Sequence, residues 1–312
     1  MTPPVTNCFT ISINIYIYIL NMKRDEIDSK LEEIYQIIKE ISISGSKNAS
    51  YIPELAKVDS DILGISIVDT KGKVINKGDS DKKVAIESIS KVFTLALVLD
   101  KRDINYIQEK IGFKQSFYAF NSVIALAMAE GHRINPFVNN GAMATTSLVV
   151  NKEGVKAWKK IKKNMDNFAG SKLDFSDKVY RSEMDNNDHN LGLAYLLKSW
   201  GVFYSDVPEA VSVYTKQCSV LVTSEDLGTM ASCLANKGIN PRTGKRVIDR
   251  ENIKYILSLM VSDGMYQESG EWVIHVGLPA KSGVGGGIMI VAPGKYGIGI
   301  VSPLLIKWEI VL

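Results

Sequence analysis

Strand patterns stand at the two ends of this chain with helical patterns between them, and that arrangement constrains the fold more than any other feature. Near the start, DILGISIVDTKGKVINKGD holds two β-branched runs joined across Lys71-Gly72, which reads as a hairpin. Near the end, EWVIHVGLP, GGGIMIVAPG and YGIGIVSPLL read as strands separated by Gly and Pro. From Ser88 to about Met260 the chain reads as helix and loop, most clearly in KVFTLALVLD, NSVIALAMAEG, NLGLAYLLKSW and SEDLGTMASCLANKG. An earlier helix, DEIDSKLEEIYQIIKE, puts Ile27, Leu31, Ile34 and Ile38 on one face. Strands from both ends bury a common face most economically in one sheet. The expected fold class is therefore α/β (α+β), a single antiparallel sheet built from both chain ends with a helical domain inserted. The expected division is residues 25–87 and 245–312 for the sheet domain and 88–244 for the helical domain.

Residues 1–24 are expected to be an extension outside the fold, with Met22 as the natural start. Their apolar run, CFTISINIYIYIL, is too short for a membrane-spanning helix and lacks the charged flank of a signal peptide. The alternation of Ile11, Ile13, Ile15, Ile17 and Ile19 has strand periodicity. A net charge of +3 over 312 residues, without a Lys/Arg block, argues against nucleic acid or an anionic membrane as partner. Cys8, Cys218 and Cys233 form no CxxC, which fits a reducing compartment and supplies no zinc site. With no export feature, a cytoplasmic location is expected.

The segment ESISKVFTLALVLD places Ser88 three residues before Lys91, one helical turn apart on one face. Ser-x-x-Lys alone is weak, since Ser44/Lys47 and Ser80/Lys83 share the spacing in polar surroundings. Ser88 differs because its helix is apolar nearly all round, as a buried central helix must be. Its hydroxyl would sit at the positive helix end, near N–H groups suited to an oxyanion. A desolvated Lys91 would have a lowered pKa and could take the hydroxyl proton. Downstream, Lys281-Ser282-Gly283 resembles the Lys-Thr-Gly that accompanies Ser-x-x-Lys in penicillin-recognising enzymes. His132, His189 and His275 have no triad or metal spacing and are assigned surface or packing roles.

Taken in order, YIPELAK, ESISKVF, FNSVIALAMAEGHRINPFVNNGA, RSEMDNNDHN, YTKQCSV, LANKGINPRTG and SDGMYQESGEWVIHVGLPAKSGVGGGI resemble the serine-dependent glutaminases. That family hydrolyses L-glutamine to L-glutamate and ammonia on a β-lactamase/DD-peptidase-like fold. The resemblance implies Ser88 as nucleophile, Lys91 as base, and Tyr266 and Tyr214 as active-site tyrosines. It implies that Tyr51, Asn121, Glu183 and Asn190 hold glutamine, with the backbone of Val284 meeting the amide oxygen. It further implies no metal or organic cofactor, and a homo-oligomer. Without the resemblance each of these residues has an ordinary reading: Tyr51 and Tyr214 as core aromatics, Glu183 as a helix-start carboxylate, Asn121 and Asn190 as caps.

Two departures stand out. Lys114 to Phe117 replace the family's Glu-Pro-Ser-Gly, and the chain ends IKWEIVL where the family continues toward a closing helix. A β-lactamase or penicillin-binding reading is disfavoured by the missing export signal and the missing Ser-Asp-Asn element. A non-catalytic amino-acid-binding protein on the same fold would bind glutamine without turning it over.

Overall fold

The structure is a computed structural model that describes residues 24–40, 47–115 and 121–305. The strand periodicity at residues 1–23, Ser116, Phe117 and the IKWEIVL terminus lie outside the described residues. The strands are β1 (Gly64–Asp69), β2 (Val74–Gly78), β3 (Val84–Ala85), β4 (Asp174–Phe175), β5 (Val220–Val222), β6 (Ala280–Gly283), β7 (Gly287–Ala292) and β8 (Tyr296–Val301). The helices begin with α1 (Arg24–Glu40), α2 (Ser90–Leu99), α3 (Ile104–Lys110), α4 (Val123–Met128), α5 (Asn139–Glu153) and α6 (Ala157–Ala169). They continue with α7 (Asp177–Met184), α8 (Asp188–Ser199), α9 (Val207–Cys218), α10 (Ser224–Ala235), α11 (Arg250–Asp263) and α12 (Ser269–His275). None of the described helices is long and apolar enough to cross a membrane.

Both chain ends do meet in one antiparallel sheet, in the order β2-β1-β8-β7-β6. Its two faces follow from the period of two. Ile65 and Ile67 of β1 face Ile27 and Leu31 of α1, while Ser66 points the other way and its Oγ lies 2.8 Å from Ser224 Oγ of α10. The sequence YGIGIV alternates glycine on the α10 side, so helix and sheet backbones touch. A Cβ at Gly299 would lie 2.0 Å from the Ser224 carbonyl oxygen, and one at Gly297 2.1 Å from Ser232 N. Gly299→Ala is accordingly expected to force α10 off the sheet at a cost of roughly 3 kcal/mol, read as a fall in Tm of about 6–12 °C.

Three features differ from the sequence-based expectation. A second, three-stranded sheet, β3-β5-β4, joins strands of only two or three residues, too short to show alternation. EWVIHVGLP, expected as a strand, is mostly α12: Trp272 and Val276 pack inward at i, i+4 spacing, and Gly277 (φ 71°) ends the turn. Its aromatic and β-branched content mimics a strand. Finally, α10 lies inside the stretch 88–244 yet packs on the five-stranded sheet, capped by a reciprocal Thr223/Asp226 box.

The small sheet places the chemistry. β3 runs into the turn bearing Ser88, β4 leads into α7 with Glu183, and β5 follows α9 with Tyr214.

Candidate active site

Ser88 lies in a single 3-10 turn, Glu87–Ile89, that runs directly into α2. The entry is fixed by Ile86 N donating to Val220 O at 2.8 Å and by Glu87 in the left-handed region at φ 49°. A non-glycine residue held there costs roughly 1–3 kcal/mol, which the surrounding packing has to offset. The turn between β6 and β7 presses against it: a Cβ on Gly283 would lie 2.6 Å from Ile86 O, and one on Gly285 2.1 Å from Ala85 O. Glycines at these positions bring the backbone of Val284 beside the Ser88 turn.

Lys91 is 2% exposed, whereas Lys83 of the look-alike Ser80/Lys83 pair is exposed and bonded to Asp174 at 2.7 Å. Burial separates the two matches. It pushes the Lys91 ammonium down to about 8, against opposing help from Cys218 and Glu87. Lys91 Nζ donates to Phe137 O at 3.2 Å and to Asn139 Oδ1 at 2.8 Å. In its neutral form the amine has two hydrogens for these acceptors and a lone pair left to take up a proton.

Asn139, which the sequence motifs do not single out, is the centre of this network. Its Oδ1 also accepts from Tyr214 OH at 3.2 Å, and its Nδ2 donates to Asn190 Oδ1 at 3.3 Å. The amide chain continues from Asn190 Nδ2 to Asn187 Oδ1 at 2.9 Å and from Asn187 Nδ2 to Thr215 Oγ1 at 3.3 Å. Asn139 opens α5 and is held there by Asn135, whose Oδ1 accepts from Phe137 N at 2.8 Å, and by Gly141, where a Cβ would lie 1.8 Å from Asn135 O. Asn121, expected to hold glutamine, stands beside the network, its carbonyl 2.8 Å from His189 Nε2. The NPFVNNGA block carries the signal: a turn-forming Asn-Pro followed by a polar helix start.

Tyr214 is buried, and burial holds its hydroxyl well above its ordinary pKa, so at neutral pH it serves as a donor. Tyr266 sits at φ 55°, its OH donating to Ser282 O at 3.4 Å, with Lys281 Nζ 4.0 Å and Lys91 Nζ 6.0 Å from its ring centroid. Lys281 is fully buried and donates to Gly264 O (3.0 Å) and Ser282 O (2.8 Å). Burial first, then the neighbouring Lys91, hold its ammonium well below the usual range. Glu183, on α7, is partly buried and accepts from Ser219 Oγ at 3.5 Å. Burial and the neighbouring Glu87 raise its carboxyl well above the ordinary value. Tyr51 is 48% exposed on the YIPELAK loop, which Glu54 N ties to Ser182 Oγ at 3.2 Å, next to Glu183. The structure thus gathers Ser88, Lys91, Tyr214, Tyr266, Glu183, Asn190 and Val284 around one buried centre, leaves Tyr51 at its rim and Asn121 beside it, and adds Asn139.

The model of the Glutaminase family matches residues 46–308. The chain belongs to the glutaminase family. It is 45% identical over 279 residues to a glutaminase of Colwellia psychrerythraea, covering 89% of each chain. It is 48% identical over 265 residues to a glutaminase of Brucella canis, covering 85% of this chain and 84% of that one. Among solved structures it is similar to the probable glutaminase ybaS, with a TM-score of 0.88, 41% identity, and coverage of 93% of this chain and 94% of that one. It is also similar to Mglu in its glutamate form, with a TM-score of 0.85, 35% identity, and coverage of 93% and 66%. The fold, as expected, is the β-lactamase-like one of this family.

Proposed function

We propose that the chain hydrolyses L-glutamine to L-glutamate and ammonia through an ester on Ser88. The observation that carries this reading is Lys91: a buried amine one turn after a serine, donating to Phe137 O and Asn139 Oδ1. Lys91 takes the Ser88 proton as Oγ attacks the side-chain amide carbon. The N–H groups of Ser88 and Val284 receive the oxyanion. Tyr266, between two lysines, relays a proton to the departing ammonia, and water then hydrolyses the glutamyl ester. Glu183 takes the substrate ammonium, and Asn139, Asn190 and Tyr214 donate to its carboxylate once glutamine displaces their mutual bonds. The glutamate form of Mglu, a solved relative, supports this substrate class. A homo-oligomeric state belongs to the same proposal and rests on the resemblance alone; a cytoplasmic location belongs to it as well.

The test is release of glutamate and ammonia from L-glutamine by the purified protein, with L-asparagine as control and a fluorescent penicillin alongside. Glutamine is expected to be hydrolysed, with little turnover of asparagine, whose amide stops one methylene short of Ser88, and no penicillin acylation. A folded chain that leaves glutamine intact, or is acylated by penicillin, overturns the reading.

A further inference from the structure

The mechanism leaves the buried acid beside the nucleophile without a task. Glu87 immediately precedes Ser88, is 3% exposed, and is held at φ 49°. Its carboxyl shares a hydrogen bond with that of Glu183. Oxygens of the two carboxyls and Cys218 Sγ all lie within 4.8 Å of one another. Two ionised carboxylates offer only acceptors, so a hydrogen bond between them requires a proton on one. The remaining Glu87 oxygen, Oε1, is buried with no partner. Burial pushes Glu87 up to about 8, so the pair keeps that proton at neutral pH.

The groups facing this pair arrive from every side. Lys91 follows one turn along the same helix, Cys218 and Tyr214 come from α9, and Ser219 Oγ donates to Glu183 at 3.5 Å. Burial keeps both Cys218 and Tyr214 in their neutral forms. The β6–β7 turn contributes only backbone at this point: Cβ atoms on Gly283 and Gly285 would lie 3.3 and 3.1 Å from Glu87 Cβ and Cγ. Lys281, on β6, acts on Lys91 rather than on the acids.

We propose that Glu87 is a positioning residue that shares one proton with Glu183 in the empty site, and that capture of the substrate ammonium releases this proton, leaving two carboxylates around one cation. This rests on the glutaminase reading above. The balance is simple: a singly ionised pair and the glutamine ammonium sum to zero charge, as do two carboxylates, the bound ammonium and the proton lost to solvent. Binding, rather than bond cleavage, then carries this proton. The exchange also selects for a free amino group, because an acylated one brings no charge to replace the proton.

The experiment is titration calorimetry of L-glutamine into Ser88→Ala protein at pH 7, in buffers of different ionisation heat, with and without Glu87→Gln. With Glu87 present, about one proton is expected to leave per glutamine bound, and affinity should rise up to about tenfold per pH unit from pH 6 to 7. With Glu87→Gln, that proton is expected to disappear and affinity to fall about tenfold. Lys91 can also shed a proton when a cation enters, but it does so in both proteins, so the difference between them isolates the pair. Difference infrared spectra of the Ser88→Ala protein alone provide an independent readout: glutamine should remove one protonated-carboxyl band. Equal proton counts in the two proteins, or an unchanged carboxyl band, overturn the proposal while leaving the glutaminase reading in place. Absence of glutamine binding by the Ser88→Ala protein, together with absence of glutamine turnover by the folded unaltered chain, overturns both.

Discussion

Ser88→Ala is expected to lower glutamine turnover on the order of 10⁴–10⁶-fold while leaving glutamine binding within a few-fold of the original. The asymmetry follows from where Ser88 acts. In the proposed mechanism its oxygen is the atom that becomes bonded to the substrate carbon, so no neighbour can replace it, whereas Glu183, Asn139, Asn190 and Tyr214 are proposed to hold the ammonium and carboxylate of glutamine. Removing one hydroxyl from a residue that is 8% exposed should barely disturb packing, so Tm should move by less than about 2 °C. Two measurements check this: initial rates of ammonia release, and glutamine-dependent thermal stabilisation of the variant. Turnover persisting within tenfold would remove Ser88 as nucleophile. Loss of stabilisation by glutamine would mean that the hydroxyl is needed to hold substrate.

Much of this site is legible in the amino-acid sequence, for identifiable reasons. Ser88 and Lys91 declare themselves because the chain after them is apolar all round, and burial is what lowers an amine's pKa. The five-stranded sheet is legible because GISIVD, GIMIVA and YGIGIV each carry a period of two. Asn139 is not, because its role depends on meeting Lys91 from another helix, and an asparagine at a helix start looks like a cap. The role of Glu87 is hidden for a similar reason. A glutamate before a helix reads as a favourable charge at a positive end, and only the fold shows Glu183 beside it. The two- and three-residue strands beside α7, α9 and the nucleophile turn are below any periodicity signal. Local patterns reveal the elements, but the meeting of residues from different elements does not follow from them.

Lys91→Met is expected to reduce kcat by about 10²–10⁴-fold and to abolish its rise with pH. In the unaltered protein the amine is active only when neutral. With its ammonium held below the ordinary value by burial, kcat should climb with pH and level off once the amine is neutral in the substrate complex. Methionine fills nearly the same volume without a charge, so the site should remain packed while the base is gone. Arginine is not expected to rescue the variant, since a guanidinium keeps its proton throughout this range. The same group also predicts a stability signature of opposite logic. Between pH 8 and 10.5 the unfolded chain still binds this proton and the folded one does not, so the Lys91 contribution to stability rises with pH across that window. Glu87, raised from 4.5 to about 8, works the other way: folded protein holds the proton that the unfolded chain has lost, and stability falls as pH rises from 4.5 to 8. Urea midpoints measured from pH 5 to 10 should therefore show a smaller upper rise in Lys91→Met, where Lys281 keeps its share, and a smaller lower fall in Glu87→Gln, where burial still raises Glu183. If the rising kcat limb survives in Lys91→Met, it belongs to another group, and the assignment of Lys91 as base fails. If it vanishes there but persists in Glu87→Gln, the base and the binding-site acid titrate as separate devices that meet at one buried serine.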